Sequence, residues 1–406
     1  MDMVLSAPKV LTGAGEWIPD GAVRVRDGLI AAVGDRASVI ADAPGSVARF
    51  GFPRCTILPG LIDAHVHLAF DTGPEAQATA ANTPDAVLGM RMAGRARRLL
   101  AAGVTTVRDL GDRDGLAIRL RDEIAEGTVA GPRIVAAGTP ITITGGHCWQ
   151  LGGEADGEVA LRRAVRRLVR DGADLVKVMV TGGGITPDGP PPWRTQFTER
   201  ELAVVVAEAA RFGCPVAAHA HGVEGIELAV RAGVHSVEHA SWLTEAGGRD
   251  LRLDVVADLA ARGVWVCPTV SARWRSSRER LGAAEFEAYL DRLRTMRAHG
   301  VRMIAGTDAG VLGAPFESFV DGLEGFREAG FPVQEIIEMA TARAAEALGI
   351  GDSTGRIATG MAADLLVVEG DPLAEISDLR EVRMVIAAGR AYRPDPQADH
   401  DGVMPL

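Results

Sequence analysis

His65 and His67 stand one residue apart at the end of the run Leu61-Ile62-Asp63-Ala64-His65-Val66-His67, which Ile57, Leu58, Pro59 and Gly60 lead into. On an extended strand, residues i and i+2 share a face. Two imidazoles side by side at the C-terminal end of a buried strand can therefore reach one metal ion, and imidazole is a preferred ligand of zinc and its neighbours. Downstream, His219, His239 and Asp308 each close another apolar stretch, and Lys177 lies inside one made of Leu175, Val176, Val178, Met179 and Val180. Lys9 and Lys177 are the only lysines in a chain that otherwise uses arginine. Taken singly, each residue has a plain structural explanation: a hydrogen-bonded core histidine, a lysine whose stem lies along apolar surface, an aspartate capping a helix. Taken together, those explanations need six coincidences.

The elements that must position these residues alternate between strand and helix. Extended apolar pieces occur at Leu61 to His67, Thr105 to Asp109, Arg133 to Gly138, Leu175 to Val180, Pro215 to His219, Ser236 to His239, Val264 to Pro268 and Met303 to Asp308. Each is followed by a segment with helical periodicity, such as Val159, Arg163, Val165, Leu168 and Val169, or Leu202, Val205, Val206, Ala209 and Ala210. The fold class expected is α/β, a (β/α)8 TIM-type barrel over residues 59–356, with an open doubly wound sheet as the alternative. In such a barrel the site forms at the C-terminal ends of several strands, where the histidines and Asp308 fall. Residues 3 to 58 read instead as short strands and turns, with Asp27-Gly28 as a two-residue hairpin signal. So small a unit cannot bury much alone. Strand-like pieces at Ala363 to Val368 and Val382 to Ala388 supply a partner, so residues 1–58 and 357–395 are expected to form one β-sandwich domain, leaving 396–406 as a C-terminal tail.

A formal net charge of −11 argues against nucleic acid and anionic membranes as partners. No apolar run is long enough to span a bilayer, and the first residues lack a basic stretch followed by an apolar one, so a cytoplasmic protein is expected. Cys55, Cys148, Cys214 and Cys267 have no Cys-x-x-Cys spacing, which points to neither a disulfide framework nor a thiolate zinc site. Gly182-Gly183-Gly184 lacks the lysine and spacing of a phosphate loop.

The chain resembles the metal-dependent amidohydrolase superfamily. The matching pieces are His65-Val66-His67, Val176-Lys177-Val178-Met179, His219-Ala220-His221-Gly222, Val237-Glu238-His239 and Gly306-Thr307-Asp308-Ala309-Gly310, with Thr144-Gly145-Gly146-His147 and Gly360-Met361-Ala362-Ala363-Asp364-Leu365 beside them. The resemblance implies two divalent ions, zinc in the first instance. His65, His67 and Asp308 would hold one ion and His219 and His239 the other, with Lys177, carboxylated on its amine, bridging both. A lysine among apolar neighbours has a depressed pKa, so its neutral amine can react, and the carbamate supplies an anion where an ammonium would repel the ions. A water shared by the metals would become the hydroxide nucleophile. Asp308 would shuttle its proton to the leaving amine, and His147 would hydrogen-bond the substrate carbonyl or carboxylate. His221 shares a strand face with His219 and is a candidate substrate contact.

Within the superfamily the resemblance is to imidazolonepropionase-like and prolidase-like peptidases. The expected reaction is cleavage of an amide C–N bond in a small molecule, a dipeptide or N-acyl amino acid. Arg194, Arg273 and Arg275 follow strands four and seven and are the candidates to clamp a carboxylate. The runs from Thr186 to Arg194 and from Gly310 to Phe316 depart from the peptidase pattern. A cyclic amide or imidazolone hydrolase, or a deaminase, is the alternative on the same barrel. A catalytically silent binding subunit is the alternative from another class. The partner expected is a small-molecule amide, and a homo-oligomer is left open.

Overall fold

The computed structural model describes residues 2–13, 15–393 and the backbone of Met404–Pro405. The amino-terminal strands are β1 (Asp2–Leu11), β2 (Trp17–Arg26), β3 (Leu29–Asp35), β4 (Ala48–Gly51) and β5 (Cys55–Pro59). Asp27 and Gly28 join β2 to β3 with φ of 51° and 84°, as the hairpin signal requires. The carboxyl-terminal strands are β14 (Leu365–Glu369), β15 (Val382–Ala387), β16 (Arg390–Tyr392) and β17 (Met404–Pro405). They join the first group in one sheet of order β16-β15-β14-β5-β1-β2-β3, with β4 on β1 and β17 on β4. The tail expected over 396–406 lies outside the described residues apart from Met404–Pro405, whose backbone pairs with Gly51 and Phe50.

Side-chain alternation explains why this sheet attaches to the rest of the molecule. Leu365 and Val367 of β14 pack with Met3, Leu5, Val23, Val25 and Ile57 in the core of the end unit. Leu366 and Val368, pointing the other way, pack into the large core with Leu58, Leu61 and Val104. A strand buried on both faces reads as the unbroken apolar run seen here.

Eight further strands lie between the two ends: β6 (Leu61–Val66), β7 (Val104–Asp109), β8 (Arg133–Ala136), β9 (Val176–Met179), β10 (Val216–Gly222), β11 (Ser236–Leu243), β12 (Trp265–Cys267) and β13 (Arg302–Met303). They pair in parallel as β6-β7-β8 and β13-β12-β11-β10-β9. Backbone hydrogen bonds run across both edges between these groups. On one edge Asp174 N donates to Ala136 O (2.9 Å) and Ile141 N to Lys177 O (2.8 Å); on the other Ala64 N donates to Ala305 O (3.0 Å) and Asp308 N to His65 O (2.8 Å).

The eighth strand is shorter than the expected Met303 to Asp308. Asp63 takes the Thr307 N–H (3.0 Å), and Asp308 turns to a φ of 61°, so regular pairing stops while the segment stays beside β6. β11 runs past His239 to Leu243 through a register shift. Helices follow the strands. Thr198 caps the helix Glu199–Ala210 through a reciprocal bond with Glu201. In the helix Gly157–Arg170 the buried face is Leu161, Ala164, Val165 and Leu168, at helical spacing, while Val159, expected on that face, is exposed. Among the described residues no helix is long and apolar enough to cross a membrane.

Candidate metal centre and active site

Strands β6, β9, β10 and β11 and the segment after β13 deliver the candidate ligands to one place. His65 Nε2 and His67 Nε2 each lie 3.3 Å from Asp308 Oδ1. The His65 and His239 rings are 5.1 Å apart, His219 and His239 4.6 Å, and His221 and His239 4.4 Å. His65, His67 and Asp308 bring their ligand atoms within 4.8 Å of one another, and so do His219, His221 and His239.

Hydrogen bonds from the protein fix which nitrogen of each ring is left as a lone pair. His65 Nδ1 meets Glu238 Oε2 at 3.0 Å and His67 Nδ1 meets Gly111 O at 3.2 Å, so both donate from Nδ1 and keep Nε2 bare toward Asp308. His239 Nδ1 meets Thr269 Oγ1 at 2.9 Å; that hydroxyl already gives its proton to Pro268 O (2.8 Å), so Nδ1 is again the donor. His219 is reversed: its Nε2 faces Gly182 O at 3.1 Å, and Nδ1 has no hydrogen-bond partner among the described residues. Each ring thus has one N–H tied to an acceptor and one nitrogen available, as metal-ligating histidines do.

Lys177 is the second test of fit. Its Nζ is buried and has no hydrogen-bond partner among the described residues. Burial pushes its pKa down, with Glu238 and Asp308 opposing. A buried, unpaired ammonium is costly, whereas a neutral amine, or a carbamate beside cations, costs far less. Burial likewise pushes His147 down to about 3 and His221 to about 4, and carries His219 and His239 well below the usual range, so these rings are neutral. Burial would raise Asp308, and positive charge at the His65, His67 and His239 positions would hold its carboxyl well below the usual carboxylate range; with those rings neutral, bound cations would supply that charge. The residues present fit divalent cations.

Backbone strain gathers at the same end. His239, Ala240, Trp242, Thr269, Asp308 and Cys148 are non-glycine residues with φ between 45° and 71°. Each such conformation costs about 1–3 kcal/mol and persists only where its surroundings enforce it.

A cavity of about 290 Å³ opens over these groups. Lys177, His67, His147, His219, His221, His239 and Asp308 line it, with Arg249, Arg273, Cys148 and Ser241. Arg273 has no acidic partner among the described residues, and Arg249 pairs with Glu285. Of the other two arginines singled out from sequence, neither borders the cavity. Arg194 is exposed. Arg275 is drawn away to Asp321 and Glu324 and lies over the Trp274 ring.

Several supporting residues escape a reading of the sequence. Arg108 donates to Ala64 O (2.7 Å), Ser236 Oγ (3.0 Å) and both oxygens of Glu238 (2.9 Å each), all buried. Glu238 in turn orients His65. Asp63 accepts from Thr307 Oγ1 at 2.6 Å, and burial pushes its carboxyl up to about 7. The available signal was a charge inside an apolar strand, the same signal that marks Lys177. His65, Glu238 and Cys267 also converge, but Arg108 occupies Glu238, and burial pushes the Cys267 thiol well up, so the sulfur stays protonated.

A model of the amidohydrolase family matches residues 56–392. Ochratoxinase of Aspergillus niger is 30% identical across 94% of this chain and 84% of its own length. Imidazolonepropionase of Mesorhizobium japonicum is 26% identical across 88% of each. The crystal structure of a Xaa-Pro dipeptidase with bound methionine superposes with a TM-score of 0.84 at 30% identity, covering 97% of this chain and 100% of that one. The chain belongs to the amidohydrolase family and is a hydrolase acting on carbon–nitrogen bonds.

Proposed function

We propose that this enzyme cleaves the amide C–N bond of a small carboxylate-bearing molecule, a dipeptide or N-acyl amino acid, at a centre of two divalent ions. The observation that carries the reading is the buried Lys177 amine, without a hydrogen-bond partner among the described residues, in a cavity that His67, His147, His219, His221 and His239 also line. In this reading His65, His67 and Asp308 would hold one ion and His219 and His239 the second, both zinc, and Lys177, as its N6-carboxylate, would supply the anion between them. The neutral amine adds to carbon dioxide and loses a proton, giving the anion. When bound, the ions acidify water and polarise the scissile carbonyl. Asp308, ionised and facing the cavity, takes the proton and passes it to the departing amine. His147 and His221 border the same space and contact the substrate. Arg273, which has no acidic partner among the described residues, meets the carboxylate, and Arg249 lines the same cavity. Arg194 and Arg275 have no part in it.

The same proposal closes the eight parallel segments into a (β/α)8 barrel over residues 59–356, which the hydrogen bonds across both edges support. It folds the sheet of residues 1–58 and 357–395 over its apolar core as a β-sandwich. The four free cysteines suit a cytoplasmic location.

The test compares kcat/KM for an N-acyl amino acid and its C-terminal amide, in the parent enzyme and in Arg273→Ala and Arg249→Ala. The acid should be preferred, and Arg273→Ala should remove most of that preference. Equal efficiency for acid and amide, unchanged by either variant, would overturn carboxylate recognition. The cyclic-amide reading, which the imidazolonepropionase likeness favours, would then take its place.

A further inference from the structure

The segment from Thr186 onward departs from the peptidase pattern, and the structure puts its first residue against His147. Thr186 Oγ1 lies 2.7 Å from His147 Nδ1. The same oxygen accepts the Cys148 N–H at 2.9 Å and donates to Gln77 Oε1 at 3.1 Å. Gln77 comes from the helix Ala76–Asn82, is buried, and sends its Nε2 to Cys148 Sγ at 2.9 Å. A threonine hydroxyl has one proton and two lone pairs. With the proton directed to Gln77 and one lone pair taken by Cys148, only an acceptor site remains for His147, so Nδ1 carries the hydrogen. A neutral imidazole has no second one. Nε2, with no protein partner among the described residues, is therefore a bare lone pair on a ring that borders the cavity.

Neighbours crowd the ring on two sides. A Cβ placed on Gly183 would meet its Cε1 and Nε2 at 2.3 Å, which shows how closely that backbone covers one face. The His219 ring stands 4.6 Å from it on another side. The His147 main chain is fixed as well, its N–H donating to Gln196 Oε1 at 2.7 Å.

We propose that Thr186, held by Gln77, positions His147 as the tautomer protonated on Nδ1, so that Nε2 meets the substrate as a hydrogen-bond acceptor and the enzyme favours amides that carry an N–H. In this proposal His147 accepts from the amide N–H, in place of the expected hydrogen bond to the substrate carbonyl or carboxylate. The substrate preference rests on the amide-hydrolase reading above; the tautomer does not. Thr186 and Gln77 are positioning residues, and three elements far apart in sequence meet in them.

Nitrogen-15 NMR of histidine-labelled enzyme as purified, with His147 assigned by its loss in His147→Gln, reads the tautomer directly. In parallel, kcat/KM is measured for an N-acyl amino acid and for the same compound methylated on the amide nitrogen. Wild type, Thr186→Ser and Gln77→Glu should show the proton on Nδ1 and a preference for the N–H amide of about tenfold or more, the worth of one hydrogen bond to a desolvated partner. Gln77→Leu frees the threonine proton to turn to Nδ1. It should move the ring proton to Nε2 and cut the preference to about threefold or less. A wild-type ring protonated on Nε2, or a Gln77→Leu enzyme with the wild-type tautomer, would overturn the proposal. Failure of wild type to cleave any amide would instead overturn the amide-hydrolase reading, with the NMR result still deciding the tautomer.

Discussion

Replacing Arg108 with methionine should destabilise the protein without changing any group that borders the cavity. The guanidinium is 2% exposed and makes four hydrogen bonds, two of them to the carboxylate of Glu238, which is fully buried. Burial alone would push Glu238 up; Arg108 foremost, then His65, hold it well below the usual carboxylate range. Methionine matches the stem but leaves that carboxylate without its cation, and breaking a buried pair in this way costs about 3–5 kcal/mol. With an unfolding entropy of roughly 2.1 cal/mol/K per residue, a chain of 406 residues loses about 1 °C of Tm per kcal/mol, so Arg108→Met should melt about 4–6 °C lower. The double variant Arg108→Met with Glu238→Gln carries no stranded charge and should recover part of the loss. Glu238 also orients His65, so metal affinity should fall about 10–100-fold in Glu238→Gln. Calorimetry and metal titration make both measurements. An Arg108→Met protein melting within about 1 °C of wild type would refute the reasoning, because a stranded buried charge cannot be that cheap.

Lys177→Ala should lose activity and regain part of it in millimolar short carboxylates or bicarbonate, while Lys177→Arg should be inactive with no rescue, since guanidinium stays protonated; turnover assays decide this, and wild-type rates in Lys177→Ala would make the lysine structural. Gly183→Ala puts a methyl 2.3 Å from the His147 ring and should cost about 100-fold in kcat/KM, with far-ultraviolet circular dichroism unchanged. Glu208 is buried among Arg166, Arg162 and Arg211, and the hydrogen bond from Arg166 leads in holding it down to about 2. Its folded pKa lies below the unfolded value near ~4.3, so its contribution is present above that pH and fades as the pH falls toward about 2. Urea midpoints of wild type and Glu208→Gln should therefore differ above that window and converge through it.

The metal-ligand candidates were legible because each breaks a pattern. A histidine, lysine or aspartate closing or interrupting an apolar strand is visible in one dimension, and period two places His65 and His67 on one face. The order of the strands was legible for the same reason. What sequence hides is pairing across the fold. Arg108 meets Glu238 over 130 residues, and Gln77 meets Thr186 over 109, so nothing local announces either. Arginines in an arginine-rich chain look alike: Arg273 borders the cavity, Arg275 two residues on does not, and Arg249 does without having been singled out. Helix phase and nearby acids make that difference. The end of the eighth strand was over-extended because the Asp63 side chain replaces a ladder partner, a substitution that alternation does not reveal.

The central claim is a two-ion centre built on a carboxylated lysine. Elemental analysis of active enzyme, with the mass of the Lys177 peptide region read by native mass spectrometry in carbon dioxide-saturated buffer, tests it most directly. Two divalent ions per chain are predicted, together with a carbon dioxide adduct that is absent from Lys177→Ala. Fully active enzyme with one ion or none, or without the adduct, would contradict it.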